Sequence, residues 1–70
     1  MIKEGSKVKW KWGNGYAEGT VEKTYAESVT RTISGTEVKR NGETGDKALY
    51  IKTDDSHALK LESEVEHIKS

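Results

Sequence analysis

Between Lys7 and Trp12 the chain alternates strictly: Val8, Trp10 and Trp12 fall on one side, Lys7, Lys9 and Lys11 on the other. Successive side chains of a β-strand point to opposite faces, so this period of two predicts a half-buried strand. Gly13-Asn14-Gly15 follows, a turn whose residues accept positive φ at little cost. A second strand is expected from Tyr16 to about Tyr25. In it Ala17, Gly19 and Val21 share one face, and Tyr16, Glu18 and Thr20 the other. Gly19 inside a strand marks a close backbone approach or a bend. The alternation weakens after Val21, which predicts a bulge or a strand end there.

The middle of the chain is less regular. Residues 27–46 read either as a hairpin or as a loop insert. In the hairpin reading Ser34-Gly35 forms the turn, Ile33 and Val38 lie near its base, and Asn41-Gly42 ends it. Ile33 and Val38 then pack inward, Arg31, Lys39 and Arg40 point outward, and Glu43 to Asp46 form a mobile loop. Regularity returns in "ALYIK", Ala48 to Lys52, where Leu49 and Ile51 face opposite to Tyr50. Asp54-Asp55-Ser56 reads as a tight turn, and "HALKLE" places Leu59 and Leu61 inward. Ser63 with Glu66 three residues on resembles a capping box, but the space left suits a single 3₁₀ turn rather than a helix. The expected architecture is all-β: a small SH3-like, five-stranded antiparallel barrel with one short 3₁₀ turn near the C-terminus. Its core is expected to hold Val8, Trp10, Val21, Leu49, Ile51, Leu59 and Val65, in one domain spanning residues 1–70.

Composition sharpens this picture. A chain of 70 residues without cysteine has neither disulfides nor thiolate metal sites to support it. At this size a core supplies only about 3–5 kcal/mol of net stability, so each large apolar side chain matters. The 12 basic and 12 acidic residues cancel, leaving no global field that favours nucleic acid or an anionic membrane. Lys3, Lys7, Lys9 and Lys11 crowd the start, and Asp54, Asp55, Glu62, Glu64 and Glu66 the end. Pairing of the terminal strands would set these charges against each other. No apolar run approaches the roughly 20 residues of a membrane span, and no secretion signal is apparent. A folded, cytoplasmic, monomeric domain is the expectation.

Three stretches, "GSKVKWKWGNGYAEGTVEKTY", "TRTISGTEVKRNG" and "ALYIKTDDSHALKLESEV", resemble the hypervirulence-associated Tudor-like domain family from about Gly5 to Ile68. The Trp-Gly-Asn-Gly turn with Gly19 and Val21, and the "GTEVKRNG" segment, carry most of the resemblance. The chain departs from it at Lys47, where the family usually has proline, and at Leu49, where an aromatic residue is common. The resemblance implies an SH3-like, Tudor-type barrel; it implies no particular biochemical activity.

Tudor-type barrels that read methylated cations draw aromatic walls from both flanks of the first turn and from the end of the third strand and its loop. Trp12 and Tyr16 match the first pair of walls, and Tyr50 is a further ring near the third. Asp54 and Asp55 stand where other walls would be and offer counter-charge instead. These five residues are the candidate ligand-binding set for a protein or peptide. Lys9, Lys11, Arg31, Lys39 and Arg40 form the alternative set, for nucleic acid held by local basic patches. Catalysis finds no support: His57 and His67 lack metal-ligand spacing, the serines lack a nucleophile-elbow setting, and no glycine-rich phosphate loop precedes a helix. A non-catalytic binding module needing no cofactor or metal is the expected function.

Overall fold

The alternating segment at the start forms β1 (Lys7–Trp12), which turns back into β2 (Gly15–Tyr25) with Trp12 opposite Gly15 and Lys7 opposite Thr20. The computed structural model describes residues 2–68. The two-residue link, Gly13-Asn14, opens with Gly13 at φ 56°, the glycine-first arrangement that matches the twist of a tight hairpin. Gly19 has no room for a side chain: a Cβ there would run into the Ile51 side chain and the Lys52 carbonyl. The anticipated bulge falls between Val21 and Lys23. It inverts the face each residue presents, so that Val21 pairs with Ile51 but Tyr25 pairs with Ala48.

The remaining elements are β3 (Ser28–Ile33), β4 (Thr36–Asn41), β5 (Ala48–Lys52), β6 (His57–Leu61), a 3₁₀ turn (Glu62–Glu64) and β7 (Glu66–Ile68). One antiparallel sheet runs β6-β5-β2-β1-β7, and β3 and β4 make a separate two-stranded sheet. The domain is therefore all-β, with no α-helix among the described residues. The five-stranded ladder has β6 and β7 at its ends and does not close on itself through hydrogen bonds. Pairing of β1 with β7 sets Lys9 opposite Glu66, with Nζ 3.7 Å from the carboxylate. Of the opposed terminal charges only this pair meets among the described residues; Glu64 pairs with Arg40 instead, and Lys7 lies opposite Ile68.

Two small cores lie on opposite faces of β5. Leu49 and Ile51 join Val8, Trp10 and Val21, with Ile2, Ala17, Ala58 and Val65 packed around them. Ala48 turns the other way, to Val29 and Leu59, with Tyr25, Ile33, Val38, Tyr50 and Leu61 around that group. Expecting a single core misses Val29 and Ala48, and Val65 is only half-buried. The cause is β5 itself, whose Ala48, Leu49 and Ile51 are all fully buried; a strand covered on both faces shows no hydrophobic–polar alternation.

The second core exists because residues 28–41 form a hairpin that packs on this sheet. Ser34 and Gly35 make its two-residue turn, with φ of 50° and 79°. Positive φ at both positions is what this tight hairpin connection demands. Register pairs Val29 with Arg40, Arg31 with Val38, and Ile33 with Thr36. Arg31 and Arg40 therefore share the inner face with Val29, Ile33 and Val38, and only Lys39 of the expected outward cations points away. Arg31 lies 5.1 Å from the Tyr25 ring centroid and 5.7 Å from that of Tyr50, and its Nη2 donates to the Tyr25 hydroxyl at 2.7 Å. A flat, weakly hydrated guanidinium stacks on rings at modest desolvation cost, which lets it occupy an inner face.

The chain after the hairpin is pinned as well. The Gly42 amide donates to the Glu27 carbonyl at 3.1 Å, and Glu43 and Asp46 exchange backbone hydrogen bonds at 3.0 Å. Glu43 to Asp46, expected as a loop, thus form a closed tight turn. The capping residues are also displaced from their expected place. Leu61 precedes the 3₁₀ turn and its amide donates to the Glu64 carboxylate at 2.8 Å. Ser63 instead donates to Asp46 through its amide at 2.9 Å and its hydroxyl at 3.0 Å. The shift arises because Glu62 is locked to Lys47, whose amide donates to the Glu62 carboxylate at 2.8 Å.

Two substitutions test this packing. Ile51→Ala is expected to lower stability by about 2–5 kcal/mol through the cavity it leaves. Gly19→Ala, which adds only a methyl group, is expected to cost about 1–3 kcal/mol by overpacking. Urea denaturation measures both, and an unchanged midpoint for Gly19→Ala would contradict the close approach of β2 to β5.

Candidate binding groove at the aromatic rim

Trp10 and Trp12 sit two residues apart on the same face of β1, yet Trp10 is 6% exposed and Trp12 72%. Position along the strand explains the difference. Trp10 packs in the first core with Val8, Val21, Leu49 and Ile51, and that core ends at Trp10 and Ala17. Trp12 pairs with Gly15 at the mouth of the turn, where no side chain lies across from it. Tyr16, on the neighbouring strand, is 62% exposed.

These rings open onto a groove of about 860 Å³. Trp12 and Tyr16 line it from β1 and β2, Ile33 and Ser34 from the hairpin tip, and Asp54 and Asp55 from the β5–β6 loop. The loop is internally tied: the Thr53 amide donates to the Ser56 carbonyl at 3.0 Å, and the Ser56 amide to the Thr53 hydroxyl at 3.2 Å. The Ser34 and Ser56 hydroxyls are 2.8 Å apart and join the hairpin tip to this loop. This contact links two sides of the groove.

Of the candidate ligand-binding residues, the fold gathers Trp12, Tyr16, Asp54 and Asp55 around the groove, while Tyr50 lies apart. Tyr50 points to the hairpin side of β5, where it stacks on His57 with ring centroids 4.6 Å apart and planes within 1°. His57 Nε2 is 3.0 Å from the Glu22 carboxylate. Glu18 and Lys60 also line the groove. Glu18 lies two residues from Tyr16 on the same strand face, a signal present in the sequence. The approach of Ile33, Ser34 and Lys60 carries no such local signal.

The five candidate cations do not converge. Arg31 is held over Tyr25 and Tyr50, and Arg40 Nε donates to Glu64 at 2.9 Å. Lys9 lies near Glu66, with its ammonium 5.1 Å from the Tyr16 ring centroid. Lys11 and Lys39 are exposed on different sheets. Among the described residues no three histidine, aspartate or glutamate side chains cluster as a metal site, and no helix is long and apolar enough to cross a membrane.

Glu64 links the 3₁₀ turn to the hairpin and is electrostatically tuned. Burial pushes its carboxyl upward, but the Leu61 amide, the Arg40 guanidinium and the charge of Lys60 outweigh that effect and hold it below the ordinary value of 4.5. The carboxylate is thus favoured in the folded state.

An antiparallel sheet capped by a hairpin, with an aromatic pair left exposed beside its first turn, is the build of a small Tudor-like β-domain. The chain belongs to the family of hypervirulence associated proteins TUDOR domains, whose model matches residues 5–65. No curated protein and no solved structure matches it. Membership in a Tudor-like family points to a binding module rather than an enzyme.

Two measurements follow from this geometry. In single-tryptophan variants, acrylamide should quench Trp12 emission readily and Trp10 emission poorly. Because the Glu64 carboxyl is depressed in the folded state, its contribution to stability is full above the ordinary value of 4.5 and is lost as pH falls through its folded value. The stability difference between the native chain and Glu64→Gln should therefore shrink as pH is lowered through that range. A difference independent of pH would remove the role assigned to the Leu61 and Arg40 contacts.

Proposed function

We propose that the domain is a non-catalytic module that binds a protein or peptide partner in the groove bounded by Trp12, Tyr16, Asp54 and Asp55. We read its five-stranded sheet, with the hairpin packed on one face, as an SH3-like, Tudor-type barrel. The observation that carries the functional reading is the exposure of Trp12 and Tyr16. Only five of the 70 residues are aromatic, and each such ring buries on the order of 150–250 Å² when packed. A domain this short of apolar surface leaves two of them in solvent, one on each strand flanking the first turn, and both line the groove. Aromatic anchors of this kind are what peptide-binding surfaces use.

The nucleic-acid alternative has less support. Of its five cations, Arg31 and Arg40 are engaged within the fold, and Lys9 lies against Glu66 and Tyr16. Lys11 and Lys39 do not form one continuous strip.

Chemical-shift mapping against a peptide pool and an oligonucleotide pool, at low and moderate salt, separates the two readings. Peptide binding is expected to shift Trp12, Tyr16 and the Asp54–Asp55 amides and to persist as salt rises. Shifts confined to Lys9, Lys11 and Lys39 that vanish with salt would mark phosphate contacts and overturn the peptide reading.

A further inference from the structure

Resting on the peptide-binding reading above, we propose that the groove receives the unmodified guanidinium group of an arginine from its partner. The lining is acidic in a chain of zero net charge. Glu18, Asp54 and Asp55 contribute three carboxylates, against the ammonium of Lys60 in the lining and that of Lys9 at the Tyr16 ring. Among the described residues no side-chain hydrogen bond or ion pair engages those three carboxylates, whereas Glu22, Glu64 and Glu66 each have a partner. The groove therefore presents free acceptors next to open rings.

The ring count decides which cation fits. A quaternary ammonium has no donor, so it gains little from carboxylate hydrogen bonds and depends on aromatic faces around it. Of the three Trp and Tyr rings that line this groove, Trp10 is nearly buried and only Trp12 and Tyr16 are open, and Lys9 already places its ammonium 5.1 Å from Tyr16. Trp12 is the ring left uncommitted. A guanidinium needs less enclosure: one ring face suffices for its plane, while its edge carries donors matched to carboxylates. One stacking ring with acceptors in the same groove is what Trp12, Asp54 and Asp55 offer.

The same chain already uses this chemistry internally. Arg31 lies over the Tyr25 and Tyr50 rings and donates from its edge to the Tyr25 hydroxyl. The Ser34–Ser56 contact joins the loop that carries Asp54 and Asp55 to the hairpin tip, which lowers the ordering cost of binding.

The test is an NMR titration with four peptides, acetyl-Gly-Ser-X-Ser-Gly-amide, where X is arginine, citrulline, lysine or trimethyl-lysine. Arginine is expected to bind tightest, about tenfold over its neutral isostere citrulline, with shifts at the Trp12 indole N–H and the Asp54 and Asp55 amides. Trp12→Ala should abolish those shifts while leaving the dispersed spectrum of the fold intact, since Trp12 is largely exposed. The double variant Asp54→Asn, Asp55→Asn should erase most of the preference for arginine over citrulline. Equal or tighter binding of trimethyl-lysine at Trp12, or an unchanged preference in the double variant, would overturn the arginine assignment but keep the groove as a peptide site. No perturbation of Trp12 or Tyr16 by any of the four peptides would overturn both.

Discussion

The burial of β5 on both faces is the constraint on which the rest of this structure depends. Leu49 and Ile51 fill the core under β1 and β2, while Ala48 and Tyr50 belong to the core under the hairpin. A small chain cannot enclose one large core, because too much of its surface stays exposed. Sharing one strand between two thin cores lets the same backbone serve both. That arrangement requires the bulge at Glu22, which turns Tyr25 to the hairpin side, and it requires Gly19, where β2 meets β5 too closely for a side chain. It also requires the hairpin, without which Ala48, Leu59 and Tyr50 would face water.

The groove is a consequence of the same packing. Docking the hairpin brings its tip to the β5–β6 loop, and the Ser34–Ser56 contact fastens them. The open side lies where β1 runs past the first core into the turn, leaving Trp12 with only Gly15 across from it. Charge is distributed by the same logic. Arg31 and Arg40 serve the hairpin's inner face, Lys9 faces Glu66, and the carboxylates at the groove keep no internal partner. A net charge of zero thus conceals an uneven surface, with Arg31, Arg40 and Lys9 partnered by the fold and the carboxylates of Glu18, Asp54 and Asp55 left open.

Much of the fold was legible in local pattern. β1, the first turn, the start of β2 and the break after Val21 all follow from alternation and glycine placement, and so does the different exposure of Trp10 and Trp12, since one lies mid-strand and the other at the turn. Ile33 and Val38 reading inward was legible for the same reason. The cations were harder. Arg31 is in phase with Val29 and Ile33, and Arg40 with Val38, so their inward direction was written in the period of two. It ran against the expectation that charge stays in solvent, because the Tyr25 and Tyr50 rings and the Glu64 carboxylate that receive them come from distant segments.

By itself, then, the sequence determined which segments become strands, where they turn, and that two aromatic residues flank the first turn. These properties depend on neighbours a few positions apart, through side-chain alternation and backbone φ. The tertiary structure alone decided that β5 is buried twice, that Tyr50 joins the hairpin rather than the rim, and that Asp54, Asp55, Ile33 and Ser34 converge on Trp12. Those outcomes depend on which faces of distant strands come to lie against each other, and burial of apolar surface, the force that joins them, is not directional.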